Sequence, residues 1–487
     1  MNTKKFTLLH SNDMHGDFLA EVQGGSGKLI GGLSRLSGYI NKVRQNEENV
    51  LYLISGDMVQ GSLIDSEYKG ISTMEIMNYL APDVVSLGNH EFDYGLPHLL
   101  FLEKMANFPI VNANLYVKKY NKRLMRPYII LRKAGFDILF IGIITEKVMD
   151  SLKQDELISS FVTLEEASNE VGKICNVYKN DDVDLTILLT HIGFDSDIQL
   201  AKLLKPEWGV DIIIGGHSHT VLEKPTIENN VLIVQAGVGT DQIGRFDIIV
   251  DDDTNSIVDY KWQLIPIDEK LADPDTQLEQ HITSFQAAVD SKYNTIICKL
   301  SQKHTHPKRE IETSLGNLIA DAFAEVAECD VMLVGSGSIR TKEIGPLVTL
   351  KDLSVCFPFD DTLTRYTING EKMKKIFTHI LRPENRTGEG EFYQVNSKVK
   401  AIYDTSKKQL ISLKIDNEEL SERLYKICLQ GYHAKNSDTY LNVTNKELLE
   451  SGQSKVVSTS SREVLEEYLR THQNISRVVE GRFTYLN

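Results

Sequence analysis

The sequence predicts an α/β fold in two parts, and three observations carry that expectation. The first half alternates short apolar runs with turns rich in small and polar residues, and helix-like stretches lie between several of the runs. That pattern fades after "FDIIVDDDTNSIVDYKWQLIPID", where mixed strand, turn and helix signals replace it. The chain also has 487 residues, more than one hydrophobic core usually serves.

The runs, in chain order, are "FTLLHS", "VLYLISGD", "DVVSLGNH", "DILFIGII", "LTILLTHI", "VDIIIGGHSH" and "NVLIVQAG". Their dense Ile, Leu and Val suggest strands buried on both faces, covered by helices or a second sheet. Segments 33–47, 72–80 and 95–106 read as helices. Residues 273–294, "DPDTQLEQHITSFQAAVDSKYN", read as one charged amphipathic helix: aspartates at its start suit an N-cap, and later apolar residues recur at three-to-four spacing. This helix lies in an expected linker over 268–296, between domains at 1–267 and 297–487. The second domain opens with the long helix candidate "TSLGNLIADAFAEVA" and ends in "VVEGRFTYLN".

Composition narrows the class. Hydrophobic residues at 41% and charged residues at 25% describe an ordered globular chain. A formal net charge of -15 disfavours nucleic acid or an anionic membrane as a partner. It leaves a small phosphate ester open, because bound metals and a few arginines reverse the potential locally. The apolar run after Lys4 and Lys5 is too short for a signal-peptide core, and no segment reaches membrane-spanning length. Five scattered cysteines, an odd number, read as reduced core residues. The resulting expectation is a cytoplasmic protein.

The chemistry gathers at the ends of the apolar runs. Asp13 and His15 stand in "SNDMHGD", Asp57 in "SGDMVQG", Asn89 and His90 in "GNHEFD", His191 in "THIG", and His217 and His219 in "GGHSHT". Two positions apart on an extended chain, the paired candidates in "DMH" and "HSH" project to one side. Nitrogen and oxygen donors without cysteine suit Mn, Fe, Zn, Co or Mg. One Asp-x-His at a strand end is commonplace, and Asp57 alone could cap a helix. Five such clusters in one domain are a metal-site pattern.

These segments resemble the calcineurin-like metallophosphoesterase superfamily, and specifically its 5'-nucleotidase family. The resemblance implies a four-layer α-β-β-α metallophosphatase sandwich followed by an α+β 5'-nucleotidase C-terminal domain. It implies two divalent metal ions, one on Asp13, His15, Asp57 and His219 and the other on Asp57, Asn89, His191 and His217, with Asp57 bridging. His219 replaces a glutamine found in some relatives. By the same resemblance Asn89 also lies beside the substrate, His90 contacts a phosphoryl oxygen, and Asp93 orients His90. Glu91 is expected to be a structural hydrogen-bonder.

The second half extends the likeness. "REIETSLGNLIADA" and "VGSGSIR" place Arg309 and Arg340 at substrate-binding positions, as suits a carboxylate or phosphate. "FPFD" and "GYHAKNSDTY" place Phe359 and Tyr432 on the two faces of a nucleobase and Asp438 at the ribose. The chain departs from the family pattern at Gly335, often an asparagine, at Asp360, and at "NSDT", usually "GGDG". The resemblance implies hydrolysis of nucleoside 5'-monophosphates by a monomer whose site needs both domains, with the 273–294 helix as hinge. The enzymatic alternatives are a nucleotide-sugar or dinucleotide pyrophosphohydrolase and a 2',3'-cyclic-nucleotide phosphodiesterase. A binding protein on an inactive scaffold is disfavoured by the complete ligand set. A cytoplasmic enzyme of this kind is expected to have a narrow substrate range, sparing the cell's nucleotide pool.

Overall fold

The computed structural model describes residues 3–22, 28–120, 122–144, 158–160, 163–178 and 182–486. They divide into two compact units, Met1–Val289 and Asp290–Asn487.

The first unit is built on two six-stranded sheets. One contains β1 (Thr3–Ser11), β2 (Val50–Ser55), β3 (Val84–Ser86) and β4 (Ile110–Val111). The other contains β5 (Tyr128–Lys133), β6 (Phe136–Ile144), β7 (Leu185–His191), β8 (Ile212–Ile214), β9 (Thr226–Glu228) and β10 (Val231–Val234). The chain then returns to the first sheet with β11 (Gln242–Asp251) and β12 (Ser256–Pro266). Strand orders are β12-β11-β1-β2-β3-β4 and β9-β10-β8-β7-β6-β5. β1 to β4 run parallel, as do β6, β7, β8 and β10, and antiparallel strands close the remaining positions.

Side-chain parity explains the layers. Phe6 and Leu8 of β1, Leu51 and Leu53 of β2, Phe140 of β6 and Ile187 of β7 share one core between the sheets. Opposite-parity residues Leu139, Ile141 and Ile143 pack instead with Ala167, Val171 and Leu200 from two helices, Leu164–Val177 and Phe194–Leu203. On the first sheet the helices Leu33–Asn46 and Ile71–Leu80 bury Leu36, Ile40, Met74 and Met77, while Leu9, Tyr52 and Ile54 are buried too. Each such burial contributes about 1.5–3 kcal/mol. The result is the α-β-β-α arrangement, with the apolar runs as its inner strands.

Asp275 starts the helix Thr276–Tyr293, its carboxylate accepting from the N–H groups of Gln277 at 3.1 Å and Leu278 at 3.2 Å. The same carboxylate accepts from Ser37 Oγ and Asn41 Nδ2, tying the helix start to Leu33–Asn46.

The second unit is α+β. A five-stranded sheet takes the order 393–395, 331–335, 424–430, 363–369, 455–458, and a four-stranded sheet the order 418–419, 409–415, 399–404, 483–486. The helix Gly370–Ile380 buries Met373, Ile376, Phe377 and Ile380 at helical spacing, in one core with Leu333, Tyr403 and Ile427. All five cysteines are free and buried. Among the described residues no helix is long and apolar enough to cross a membrane.

Candidate metal centre

The parallel strands of both sheets bring their C-terminal ends together, as α/β sheets generally present chemistry. β1 ends at Ser11, two residues before Asp13. β2 ends at Ser55, two before Asp57. β3 ends at Ser86 ahead of Asn89, β7 ends on His191 itself, and β8 ends at Ile214 ahead of His217 and His219. Donor atoms of Asp13, His15 and His219 lie within 4.8 Å of one another, as do those of Asp57, His191 and His217, and those of His15, Asp57 and His90. Asn89 joins the second group, its Oδ1 3.1 Å from His217 Nδ1. All seven sequence-predicted ligands are therefore in one place.

The backbone is held in an unusual state to achieve this. Five of the seven adopt positive φ: Asp13 at 51°, His15 at 50°, Asp57 at 55°, His217 at 77° and His219 at 53°. Such conformations cost on the order of 1 kcal/mol or more each and concentrate at functional sites. Close approach is also required at Gly216, where a Cβ would stand 2.7 Å from His191 Nδ1 and 2.5 Å from Ser55 O.

The electrostatics fit divalent cations. His191 Nδ1 donates to Ser55 O at 2.9 Å, which leaves Nε2 as the nitrogen a cation would take, in exchange for the proton it carries without one. That Nε2 lies 3.0 Å from Asp57 Oδ2, yet it is buried without a hydrogen bond. An orphaned buried nitrogen beside a carboxylate oxygen is what a shared cation would satisfy. Although burial pushes the Asp57 carboxyl up, His191 draws it down to about 2, and Asp57 in turn lifts His191 to about 9 against its burial. Burial lowers His15 and His217, keeping both rings neutral, as ligation demands. Asp13, fully buried, accepts from Asn12 Nδ2 at 2.7 Å and from His217 N–H at 2.9 Å. Two divalent metal ions suit these donors, a set shared by Mn, Zn, Fe, Co and Mg.

His90 stands at the rim. Its Nδ1 is 2.6 Å from Asp93 Oδ2, and that hydrogen bond raises its pKa. Glu91, one residue on, is buried, and its carboxylate accepts N–H bonds from Gly88 at 2.6 Å, Asp57 at 2.9 Å and Met58 at 2.7 Å. Burial and the neighbouring Asp57 push it up to about 7.

The second unit holds a cavity of about 510 Å³, lined among others by Arg309, Arg340, Phe359, Tyr432, Glu391 and His433. Phe359 and Tyr432 are 53% and 56% exposed, too open for core aromatics. The Arg340 guanidinium lies 5.8 Å from the Phe359 ring centre, and Arg309 pairs with Glu391 at 2.8 Å. Asp438 is not brought to this cavity: it is exposed on the short helix Ser437–Leu441. The carboxylate that does reach the loop is Asp361, which accepts from Tyr432 N–H at 2.6 Å. Asp360 also lines the cavity, and its carboxylate accepts from Ser460 Oγ at 2.8 Å. Glu391 and His433 were missed from sequence: Glu391 lies outside the quoted motifs, and His433, though inside "GYHAKNSDTY", has no role that the motif marks.

The profile of the calcineurin-like phosphoesterases matches residues 6–221, and that of the 5'-nucleotidase C-terminal domain matches residues 292–446. A 5'-nucleotidase-related protein of Glossina morsitans morsitans is 30% identical over 84% of this chain and 81% of its own. The chain belongs to the 5'-nucleotidase family of calcineurin-like metallophosphoesterases. A snake venom 5'-nucleotidase of Gloydius brevicauda is 27% identical over 99% of this chain and 89% of its own. The solved 5'-nucleotidase precursor of Thermus thermophilus shares the fold, with a TM-score of 0.62 at 24% identity over 99% of this chain and 100% of that one. This 5'-nucleotidase family member is a metal-dependent phosphoester hydrolase, on its family and its metal-suited clusters.

The relatives correct one expectation. A venom enzyme is a secreted one, and its match over nearly the whole chain argues against the expected cytoplasmic location. The apolar run after Lys5 proves to be part of β1, and the cysteines are free and buried in the cores, so both signals reported packing and neither reported compartment. The narrow substrate range argued from that location falls with it.

Proposed function

We propose that the enzyme hydrolyses nucleoside 5'-monophosphates to nucleoside and phosphate, the first unit handling the phosphoryl group and the second the nucleoside. The observation that carries this reading is the second unit's cavity, where two arginines accompany two exposed aromatic rings. An aromatic pair suits a base of any sequence, and the arginines suit anionic or carbonyl groups beside it. Asp13, His15, Asp57 and His219 would hold one ion, and Asp57, Asn89, His191 and His217 would hold the other. When bound, the ions supply Lewis acidity that activates water and neutralises charge on the phosphoryl oxygens.

The chain's own residues then do three things. Asp93 accepts a hydrogen bond from His90 Nδ1–H and keeps the ring protonated, so His90 Nε2 donates to a phosphoryl oxygen as charge develops there. Asn89 supplies a neutral oxygen at the same site. Phe359 and Tyr432 stack on the base. The names of the relatives support this choice of substrate.

The test is a panel of initial rates for the Mn-loaded protein on nucleoside mono-, di- and triphosphates, UDP-glucose, a dinucleotide, 2',3'-cyclic AMP and sugar phosphates. A monophosphate is expected to turn over fastest, with His90→Ala slower by about 10²–10⁴-fold at unchanged metal content. Turnover of diesters or anhydrides with monophosphates left intact would contradict the reading.

A further inference from the structure

Behind the exposed rings of the second unit's cavity lies a buried imidazole for which phosphate chemistry has no use. His433 is enclosed edge-on by Tyr393, Tyr432 and Tyr440, with ring centres 5.1, 5.4 and 5.3 Å away. Burial drives its pKa down to about 4, so the ring is neutral near pH 7 and carries one N–H. Tyr393 decides which nitrogen bears it. The Tyr393 hydroxyl is buried, and burial raises its pKa well above the ordinary value, so it keeps its hydrogen. Its hydrogen-bond partner among the described residues is His433 Nδ1, at 2.8 Å. Nδ1 therefore accepts, and Nε2 carries the ring hydrogen. Nε2 itself has no hydrogen-bond partner among the described residues.

Gly335 lets the chain pass close beside that nitrogen: a Cβ on residue 335 would stand 2.2 Å from Nε2, closer than any methyl tolerates, and 3.3 Å from Glu391 Oε1. His433 and Glu391 both line the cavity, which so presents a donor, Nε2–H, near an acceptor, the Glu391 carboxylate. Glu391 is fixed there: Oε1 accepts Gly337 N–H at 2.8 Å and Oε2 accepts from Arg309 at 2.8 Å. Oε1 retains a second lone pair.

We infer that Gly335, His433 and Glu391 form a subsite for a lactam edge, a ring C=O next to a ring N–H, so that the cavity selects hypoxanthine, guanine and uracil over adenine and cytosine. The base carbonyl accepts from His433 Nε2–H while the adjacent ring N–H donates to Glu391 Oε1. Adenine and cytosine offer the reverse order, an amino group against the donor and a lone pair against the carboxylate. A buried polar pair left unmatched in this way discriminates strongly. The inference rests on the reading that this cavity binds the nucleoside.

The test compares kcat/KM of the Mn-loaded full chain on IMP, GMP, UMP, AMP, CMP and N1-methyl-IMP, with p-nitrophenyl phosphate as a base-free reference. IMP is expected to exceed AMP by at least about tenfold, and methylation at N1, which removes the ring N–H without any change to the protein, to erase that advantage. In His433→Phe the IMP-to-AMP ratio should fall towards one. Equal rates across the monophosphates would overturn this inference alone. Turnover of p-nitrophenyl phosphate with every monophosphate left intact would overturn it together with the nucleotidase reading.

Discussion

Glu91 joins two of the loops that make up the metal centre without offering an atom to either ion cluster. Its carboxylate satisfies the backbone N–H groups of Gly88, Asp57 and Met58, all in segments that lead into candidate ligands. Glu91→Ala would leave three buried donors without partners, each costing about 1–3 kcal/mol. We expect a lower melting temperature and loss of bound metal, read by differential scanning calorimetry and elemental analysis; full metal content in that variant would contradict the role. Glu91→Gln should not restore it, since its amide turns N–H towards N–H. The ligands themselves were legible because Asp, His and Asn beside glycine at strand ends are local patterns. Glu391 and His433 were not, because their meaning lies in partners 82 and 40 residues away, Arg309 and Tyr393. Asp438 misled for the complementary reason: a motif position does not say which way a helix turns it.

At the scale of elements, the strands could be read because burial on both faces writes unbroken Ile, Leu and Val. The connector helix was placed at 273–294 and spans Thr276–Tyr293, the difference being the three residues that lead into and form its cap and Asn294 at its end. The helix Phe194–Leu203 contains a feature that no pattern signals. Its Asp197 is fully buried against β7, accepts from Thr190 Oγ1 at 2.7 Å, and is pushed up to about 8 by burial. A carboxyl raised in the folded state favours the protonated form there, so its ionisation removes stability as pH rises from near 4 through 8. Asp197→Asn should therefore show a smaller fall in melting temperature between pH 5 and pH 8 than the parent, both saturated with Mn. Identical slopes would show that Asp197 does not titrate with folding.

The whole molecule separates its tasks between two units, one with the ion clusters and one with the aromatic cavity. Its charge of -15 would repel a phosphate ester, so the centre depends on cations to reverse the local potential. Compartment was the feature least legible from sequence, since packing signals carry no address. The strand-end cluster is built as a two-metal hydrolytic centre. Its most direct test strips the protein with a chelator, returns Mn in measured equivalents, and follows bound metal and p-nitrophenyl phosphate turnover together in the parent and in Asp57→Asn. We expect no turnover in the stripped protein, recovery that completes at two ions per chain, and failure of Asp57→Asn to hold the pair. Full turnover in stripped protein, or undiminished two-ion binding by Asp57→Asn, would contradict it.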